Sequence, residues 1–589
     1  MTTHTPVFTE KSSTPRQNCT LDLFSLSWIS LHRRRRKPTL HCTALARLST
    51  PPKSPNLDLK PIRQLNETRV APMLMALKGR RLVLLAAFVI VSALLIFSQS
   101  LYPENLSWSD ISASLPTGSK SSAPSTKGAK PARAGTGRFH FLIAASAPNL
   151  QFCRALVSST ANRFGAPVIA GWNGTGENDA ALSHLAKIRV VTKYLEDLPE
   201  SSNDDLFMMI DGYDVLLQFG PDVLIERYFK AAAKEDERII QQLGPERAQS
   251  LAGPMGRHIF FGADKVCWPV DWRRPACWAV PPVPNMDGHE FGPLTNTGED
   301  MAFNHPRWLN SGTIIGPIKE VREMFRATLD LINEVYDPEY EFRESDQFYM
   351  SDVWGLQELE RIQMQKEENP DAAVMLPPED GWVPELEPAY SYNFHIAMDY
   401  WSLMFQTWAG YGEWVNWRKF DRPLYSVEIS QNYRNSSTFV PWSLHMQADG
   451  MKSLKRIFNT TEDETMGATV NELIRKSEFG ANIVTKQTFP LLHVTGEKGA
   501  LDVFWPRMWF FPYGRSLIRS AINWFQQEEH YMPELIDGRV WYPAHPYPKD
   551  IRENDGGAWS DTANDNGTVY WLGFDQLCAE HHGILFGED

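Results

Sequence analysis

An α/β fold, a mainly parallel sheet covered on both faces by helices, is what this chain predicts, on two observations. Short continuous apolar runs recur along residues 139–315, and segments of helical spacing separate them. A strand that is apolar on both faces belongs in a sheet buried on both sides, which is the setting of parallel sheets. Phe139–Ala145 (FHFLIAA) is the first such run, followed by a helix candidate at Asn149–Arg163 and a second strand at Ala166–Ala170 (APVIA). Leu206–Ile210 (LFMMI) is a third buried strand and runs straight into Asp211. Pro221–Leu243 has helical spacing, His258–Phe261 and Thr313–Ile315 read as further strands, and Pro317–Val335 as an amphipathic helix. Open α/β sheets bind ligands beyond the carboxyl ends of their strands. The residues that follow LFMMI, FF and TII are therefore expected at the rim of a site.

Composition limits the alternatives. A chain of 589 residues that is 43% hydrophobic and 12% aromatic, with 20 Trp, can bury a large core and is not a disordered protein. Six Cys in that length exclude a disulfide-built scaffold. The net charge of −13 hides a split: residues 1–81 carry 15 Lys/Arg against four Asp/Glu, a net +11, which leaves −24 on the rest. So acidic a body excludes a general nucleic-acid binder.

Leu82–Ser98 (LVLLAAFVIVSALLIFS) divides the two charge regimes with 17 uncharged residues. At ~1.5 Å per residue it spans roughly 26 Å, enough to cross a thin bilayer as a single transmembrane helix. Lys78, Arg80 and Arg81 precede it, and positive flanks stay cytosolic, so the expected topology is type II, with the acidic body luminal in the Golgi or endoplasmic reticulum. A cleaved signal peptide is the rival reading, but LYPENLSW offers no small-residue cleavage site. The basic segment 1–81, with Arg33–Lys37 (RRRRK), reads as a disordered cytosolic tail, and translation from Met73 or Met75 would shorten it to a stub. Residues 99–137, rich in Ser, Pro, Gly, Ala and Lys, read as a stalk. Sequons at Asn105, Asn173, Asn435, Asn459 and Asn566 are compatible with a lumen.

Chemistry-bearing residues cluster at the expected rim. In Asp211-Gly212-Tyr213-Asp214, two carboxylates three residues apart on a tight turn can converge on a hard cation such as Mg²⁺ or Mn²⁺, or merely cap the next element. Leu492-His493-Val494-Thr495-Gly496-Glu497-Lys498 follows another apolar run: His493 could complete a metal shell, Gly496 admit a diphosphate to the backbone, and Lys498 neutralise it. Taken alone, His493 reads as a hydrogen-bonded strand-end residue. Asn310-Ser311-Gly312 offers small polar groups to a sugar or phosphate, or is an ordinary turn. Glu344-Ser345-Asp346-Gln347 reads first as a helix N-cap with acids in the first turn.

In this order the pieces resemble the glycosyltransferase domain of the procollagen lysyl hydroxylases, within the GT-A-type sugar-nucleotide transferases. The matching segments are Lys187 ahead of a helix, LFMMIDGYDVLLQFGPDVLIERY, IFFGADKVCWP, WLNSGTIIG, SDQFY, HIAMDYWSLMFQT and LLHVTGEK, colinear from about Phe139 to Lys498. The resemblance implies a GT-A-like domain over 138–500 with an insertion at about 408–485; residues 501–589, aromatic and acidic, read as a C-terminal extension packed on it. The resemblance further implies Mn²⁺ (or Mg²⁺) held by Asp211, Asp214 and His493 and bridging the phosphates of a UDP-hexose. Tyr213 would stack on the uracil, Lys187, Gly312, Gly496 and Lys498 would surround the donor, and Asn310 and Asp346 would lie at the transferred sugar and reacting centre. The acceptor would be a protein or a glycan. Two places depart from the family pattern: Ser345 stands where an acid usually precedes Asp346, and Thr495 with a single Glu497 alters the last motif. The 91 residues beyond Lys498 hold no plausible His-x-Asp…His set, so lysine hydroxylation is not expected.

Two other readings compete. A glycan-binding or cell-wall scaffold that kept the fold would bind no UDP through Mn²⁺, and a metal-dependent hydrolase would act on phosphoesters without transfer. Cys267 and Cys277, in an oxidising lumen, are a plausible disulfide, and the absence of CxxC makes structural zinc unexpected. The Trp-rich stretch Trp401–Trp417 could stack on a glycan, although Trp more often fills a core.

Overall fold

The computed structural model describes residues 135–588, except 181–182, 253–255, 528, 552–555 and 562–568. The chain divides into two units, Met1–Ser125 and Thr126–Asp589, and every described residue belongs to the second. The expected tail, the anchor at Leu82–Ser98 and residues 99–134 of the stalk lie outside the described residues. Among the described residues no helix is long and apolar enough to cross a membrane.

The fold is mixed α/β, with a mostly parallel central sheet flanked by helices. Its strands are β1 (Gly135–Ala144), β2 (Val168–Ala170), β3 (Leu206–Asp211), β5 (Ile259–Asp264), β6 (Trp308–Pro317), β7 (Ile396–Asp399), β15 (Arg539–Pro543), β16 (Gly557–Ser560) and β17 (Trp571–Gly573). They lie in the order β17-β16-β2-β1-β3-β6-β5-β7, with β15 joined to β1. Five of the eight pairings are parallel, and β6 runs antiparallel to both its neighbours. The helices that position the site are α1 (Leu150–Ala161), α2 (Leu185–Glu196), α3 (Pro221–Leu243), α4 (Ile318–Val335) and α5 (Asp346–Glu368).

The continuous apolar runs have the expected cause. Along β1 and β3 successive side chains point to opposite faces. Phe139, Phe141, Ile143, Met208 and Ile210 enter one core, while Leu142, Phe207 and Met209 enter the other. Both faces are covered, so β3 and the second half of β1, Phe141–Ala144, run apolar without alternation.

A smaller sheet completes the site. β4 (Val215–Leu217) runs antiparallel to β14 (Leu491–His493), which pairs in parallel with β8 (Phe405–Thr407). Most of the sequence between β8 and β14 forms further small sheets and helices that share the core of β1 and β4. There β9 (Val415–Lys419), β12 (Glu478–Asn482) and β13 (Gln487–Thr488) make an antiparallel sheet, and β10 (Ser426–Ile429) pairs with β11 (Trp442–His445). Helix α6 (Ala448–Asn459) of this insertion packs on α3, where the buried Arg227 guanidinium grips Asp449 at 2.8 and 3.0 Å.

Two expectations need correction. The stalk gives way to the domain before residue 138, because Gly135–Gly137 are already paired with β15 in β1. Residues 501–589 do more than pack on the domain. Their strands β15 and β16 join β1 and β2 in the central sheet, and Cys578 is bonded to Cys153 of α1. In the Trp-rich stretch, Trp414 and Trp417 fill the core, as Trp more often does, the first donating its indole N–H to the Ala302 carbonyl at 2.8 Å, while Trp401 and Trp408 are partly buried. The Cys267–Cys277 pair does form a disulfide.

Candidate metal centre and donor cleft

Strand register builds the site. Asp211 ends β3, and the Gly212 N–H donates to the carbonyl of Ala144, at the end of neighbouring β1, at 2.9 Å. The turn so formed returns the chain into β4, whose first residue, Val215, pairs with His493. The Val494 N–H donates to the Asp214 carbonyl at 2.8 Å, which locks the two loops together. Asp211, Asp214 and His493, 282 positions apart at the extremes, thereby offer ligand atoms that all lie within 4.8 Å of one another. His493 Nε2 is 3.2 Å from Asp214 Oδ2 and 4.0 Å from Asp211 Oδ2.

The donor set suits a hard or borderline divalent cation: two carboxylates and one imidazole, with room left for other oxygens. Asp214 Oδ1 is buried without a hydrogen-bond partner, an orphan that a cation would satisfy. His493 Nδ1 donates to Asn310 Oδ1 at 2.9 Å, which directs the lone pair of Nε2 towards the carboxylates. Gly312 leaves the space open. A Cβ there would overlap the His493 ring and come within 2.8 Å of Asp211 Oδ2.

Two lysines balance the carboxylates. Lys187, in the first turn of α2, places Nζ 2.9 Å from Asp211 Oδ1 and pairs also with Asp346. Burial works against its charge, but Asp211 and Asp346 outweigh burial and raise its pKa. Burial likewise opposes the charge on Asp346, and Lys187 nonetheless holds that carboxyl below its ordinary range. Lys498 reaches Asp214 from a turn in which Gly496 adopts φ +78°. Asp214, despite burial, is held down to about 2 by His493 and Lys498. Burial alone would lower the pKa of His493, yet Asp214 and Asp211 raise it.

These groups line one cleft of about 840 Å³, within the usual range for small-molecule sites. All ten residues singled out from sequence face it: Lys187, Asp211, Tyr213, Asp214, Asn310, Gly312, Asp346, His493, Gly496 and Lys498. Some occupy it differently from expectation. Asn310-Ser311-Gly312 is no turn but the interior of β6, and Asn310 sits behind His493, donating from Nδ2 to Asp264 Oδ2 at 2.9 Å. It orients the imidazole. The Tyr213 hydroxyl is fixed to the 146–147 backbone, accepting from the N–H groups of Ser146 (3.0 Å) and Ala147 (3.1 Å) and donating to the Ala147 carbonyl (2.9 Å). Ser345 is the N-cap of α5, as read from sequence, accepting from the Phe348 N–H at 3.3 Å, and Asp346 opens the helix.

One functional candidate escaped the sequence reading. Asp264, at the carboxyl end of β5, lines the same cleft, and burial pushes its pKa up. Its signal lay in the ADKVCWP block, where it follows a strand just as Asp211 does.

A scan against protein-family models finds no match, and no curated protein is matched significantly by the sequence.

Proposed function

We propose that the chain is a divalent-metal-dependent glycosyltransferase that moves a hexose from a UDP-sugar to a hydroxyl acceptor. The observation that carries this reading is the convergence of Asp211, Asp214 and His493 at strand ends, flanked by Lys187 and Lys498, in a cleft large enough for a nucleotide sugar. The fold expected of a GT-A enzyme, an α/β sheet with metal-ligating acids after a central strand, agrees with this reading. So do the type II topology and luminal placement read from Leu82–Ser98.

A bound Mn²⁺ or Mg²⁺ would offset the charge that develops on the diphosphate as it leaves. Asp211, Asp214 and His493 would hold the ion, and Asn310 keeps His493 in the ligating tautomer. Lys498 would meet the diphosphate from the Gly496 turn. Tyr213, pinned through its hydroxyl, presents a ring fixed in place for the uracil. Asp346, kept ionised by Lys187, is the carboxylate that faces the sugar's end of the cleft and can accept from its hydroxyls. In the transfer, the acceptor oxygen bonds to the anomeric carbon, the bond from that carbon to the phosphate oxygen breaks, its electron pair departs on UDP, and the hydroxyl proton is released.

The purified protein should turn over UDP-galactose or UDP-glucose in Mn²⁺, and Asp214→Ala should reduce that turnover at least a hundredfold. Retained turnover in a folded Asp214→Ala protein would sink the metal assignment. A wild-type protein that shows no Mn²⁺-dependent UDP binding in a thermal-shift assay would favour the scaffold reading instead.

A further inference from the structure

A second concavity, of about 320 Å³, opens beside the donor cleft and shares with it His184, Trp268 and Ser345. Its own walls are Phe342, Glu341, Glu344 and Ser183. Nothing in the donor-site chemistry uses these residues. Ala180, His184, Trp268 and Ser345 line both, and the residue after Ser345, Asp346, lies in the donor cleft, where the proposed function sets it at the transferred sugar. Consecutive Cα atoms lie 3.8 Å apart. A molecule seated here therefore lies beside Asp346, the carboxylate assigned to the transferred sugar.

The lining has a definite chemical character. Trp268 is 45% exposed although it follows a disulfide-bonded cysteine, Cys267, which ties down its loop. Its ring is braced edge-on by Phe342, with centroids 5.3 Å apart and planes 70° from parallel. An exposed indole held rigid is a platform for the C–H face of a flat ring, at little entropic cost. Around it stand groups that accept hydrogen bonds. Glu341 is exposed, and Glu344 is oriented by the Tyr336 hydroxyl, which donates to its Oε1 at 2.6 Å. Ser183 and His184 add smaller polar groups. An apolar platform rimmed by carboxylates fits a pyranose, which has one C–H face and an equatorial ring of hydroxyl donors.

We infer that this concavity is the acceptor subsite, and that the acceptor is a saccharide whose ring stacks on Trp268 and whose hydroxyls are held by Glu341 and Glu344. The inference rests on the glycosyltransferase reading, and adds to it the class of acceptor and the wall that recognises it. The hydroxyl presented past Ser345 towards Asp346 is the one that attacks.

Saturation-transfer-difference NMR on the purified full-length chain tests this, with Mg²⁺ in place of paramagnetic Mn²⁺. The probes are UDP together with the methyl glycosides of glucose, galactose, mannose and N-acetylglucosamine and, in a separate sample, a lysine-containing peptide. At least one glycoside should receive saturation on its ring C–H protons. Phe342→Ala and Glu341→Gln should each cut that signal fivefold or more, while the uracil protons of UDP stay saturated and report an intact fold. If UDP receives no saturation in the wild type, the donor reading itself fails. Saturated UDP with no glycoside signal, full glycoside signal in both variants, or saturation of a lysine-containing peptide in place of the glycosides would each overturn the acceptor assignment alone.

Discussion

At the scale of single residues, the two site lysines have different tasks because they hold different atoms. Lys187 takes Asp211 Oδ1 and leaves Oδ2 facing His493; its side chain is nearly buried and locked between Asp211 and Asp346. Lys498 takes Asp214 Oδ2, the carboxylate atom nearest His493 Nε2, and its side chain is half exposed. Lys187 can remain when a cation binds, whereas Lys498 competes with that cation and is free to swing out to a diphosphate. Lys498→Ala should therefore bind Mn²⁺ alone about fivefold more tightly (~1 kcal/mol, the size of one partly exposed ion pair) and bind UDP with Mn²⁺ more weakly. Free Mn²⁺ counted by electron paramagnetic resonance, with and without UDP, separates the two effects; weaker binding of Mn²⁺ alone would contradict the competition. Asp211 and His493 were legible as candidates because each follows an apolar run, and Asp214 because it stands three residues after Asp211 on the same turn. The task of Asn310 was not, since it depends on the register shift between Phe261 and Gly262 of β5, which sets Asn310 opposite Gly262 and next to Asp264.

At the scale of elements, periodicity revealed strands but not their partners. The long buried runs of β1 and β3 were plain, and so were α3 and α4, whose apolar stripes recur over many turns. β15, β16 and β17 escaped notice because they are three to five residues long and carry Trp, Pro and Gly, a composition that also suits loops. Their consequence is electrostatic as well as architectural. His545, just beyond β15, is partly buried against β1 and α2, where its Nε2 meets the Tyr194 hydroxyl at 2.8 Å, and that hydroxyl also meets His140 Nδ1 at 2.8 Å. Burial, then the neighbouring His140 and Arg138, lower the His545 pKa to about 3, while Asp205 stands 3.7 Å from the far nitrogen of His140. An unfolded histidine takes its proton near pH ~6.5. The folded chain thus binds fewer protons here below that pH, and the stability that is complete above it is lost as pH falls towards 3. The loss is about 1.4 kcal/mol per pH unit, or about 2 kcal/mol between pH 6.5 and pH 5. Urea unfolding at pH 7 and pH 5 should show a lower midpoint in acid, and His545→Gln should remove this share of the difference. An unchanged pH dependence in the variant would assign the acid sensitivity elsewhere.

For the whole molecule, the charge split and the sheet order speak to different questions. The −24 on residues 82–589 is mostly a solvated surface, and a small cluster of acids at the strand ends is where it becomes chemistry. The sheet order makes the far end of the chain part of the scaffold that carries the site. Every proposed ligand precedes residue 499, yet the β1 edge is completed by residues 539–543 and the β2 edge by 557–560. A chain stopped at residue 530 should keep all the site residues and still fail to yield soluble protein that binds UDP. Recovery of a folded, UDP-binding fragment of that length would show that the C-terminal strands are dispensable.

The pairing of β1 with β15 also has a meaning for synthesis. β1 meets its parallel partners β2 and β3 early, but its first half, Gly135–Phe139, waits some 400 residues for β15, so synthesis must pass residue 543 before that part of the sheet can close. Until then β1 and β2 present open edges that invite pairing with other chains. A late nonsense mutation would thus act as a loss of the entire domain, and the cell's demand for chaperones at this protein is set by topology, independently of how well the finished fold is packed.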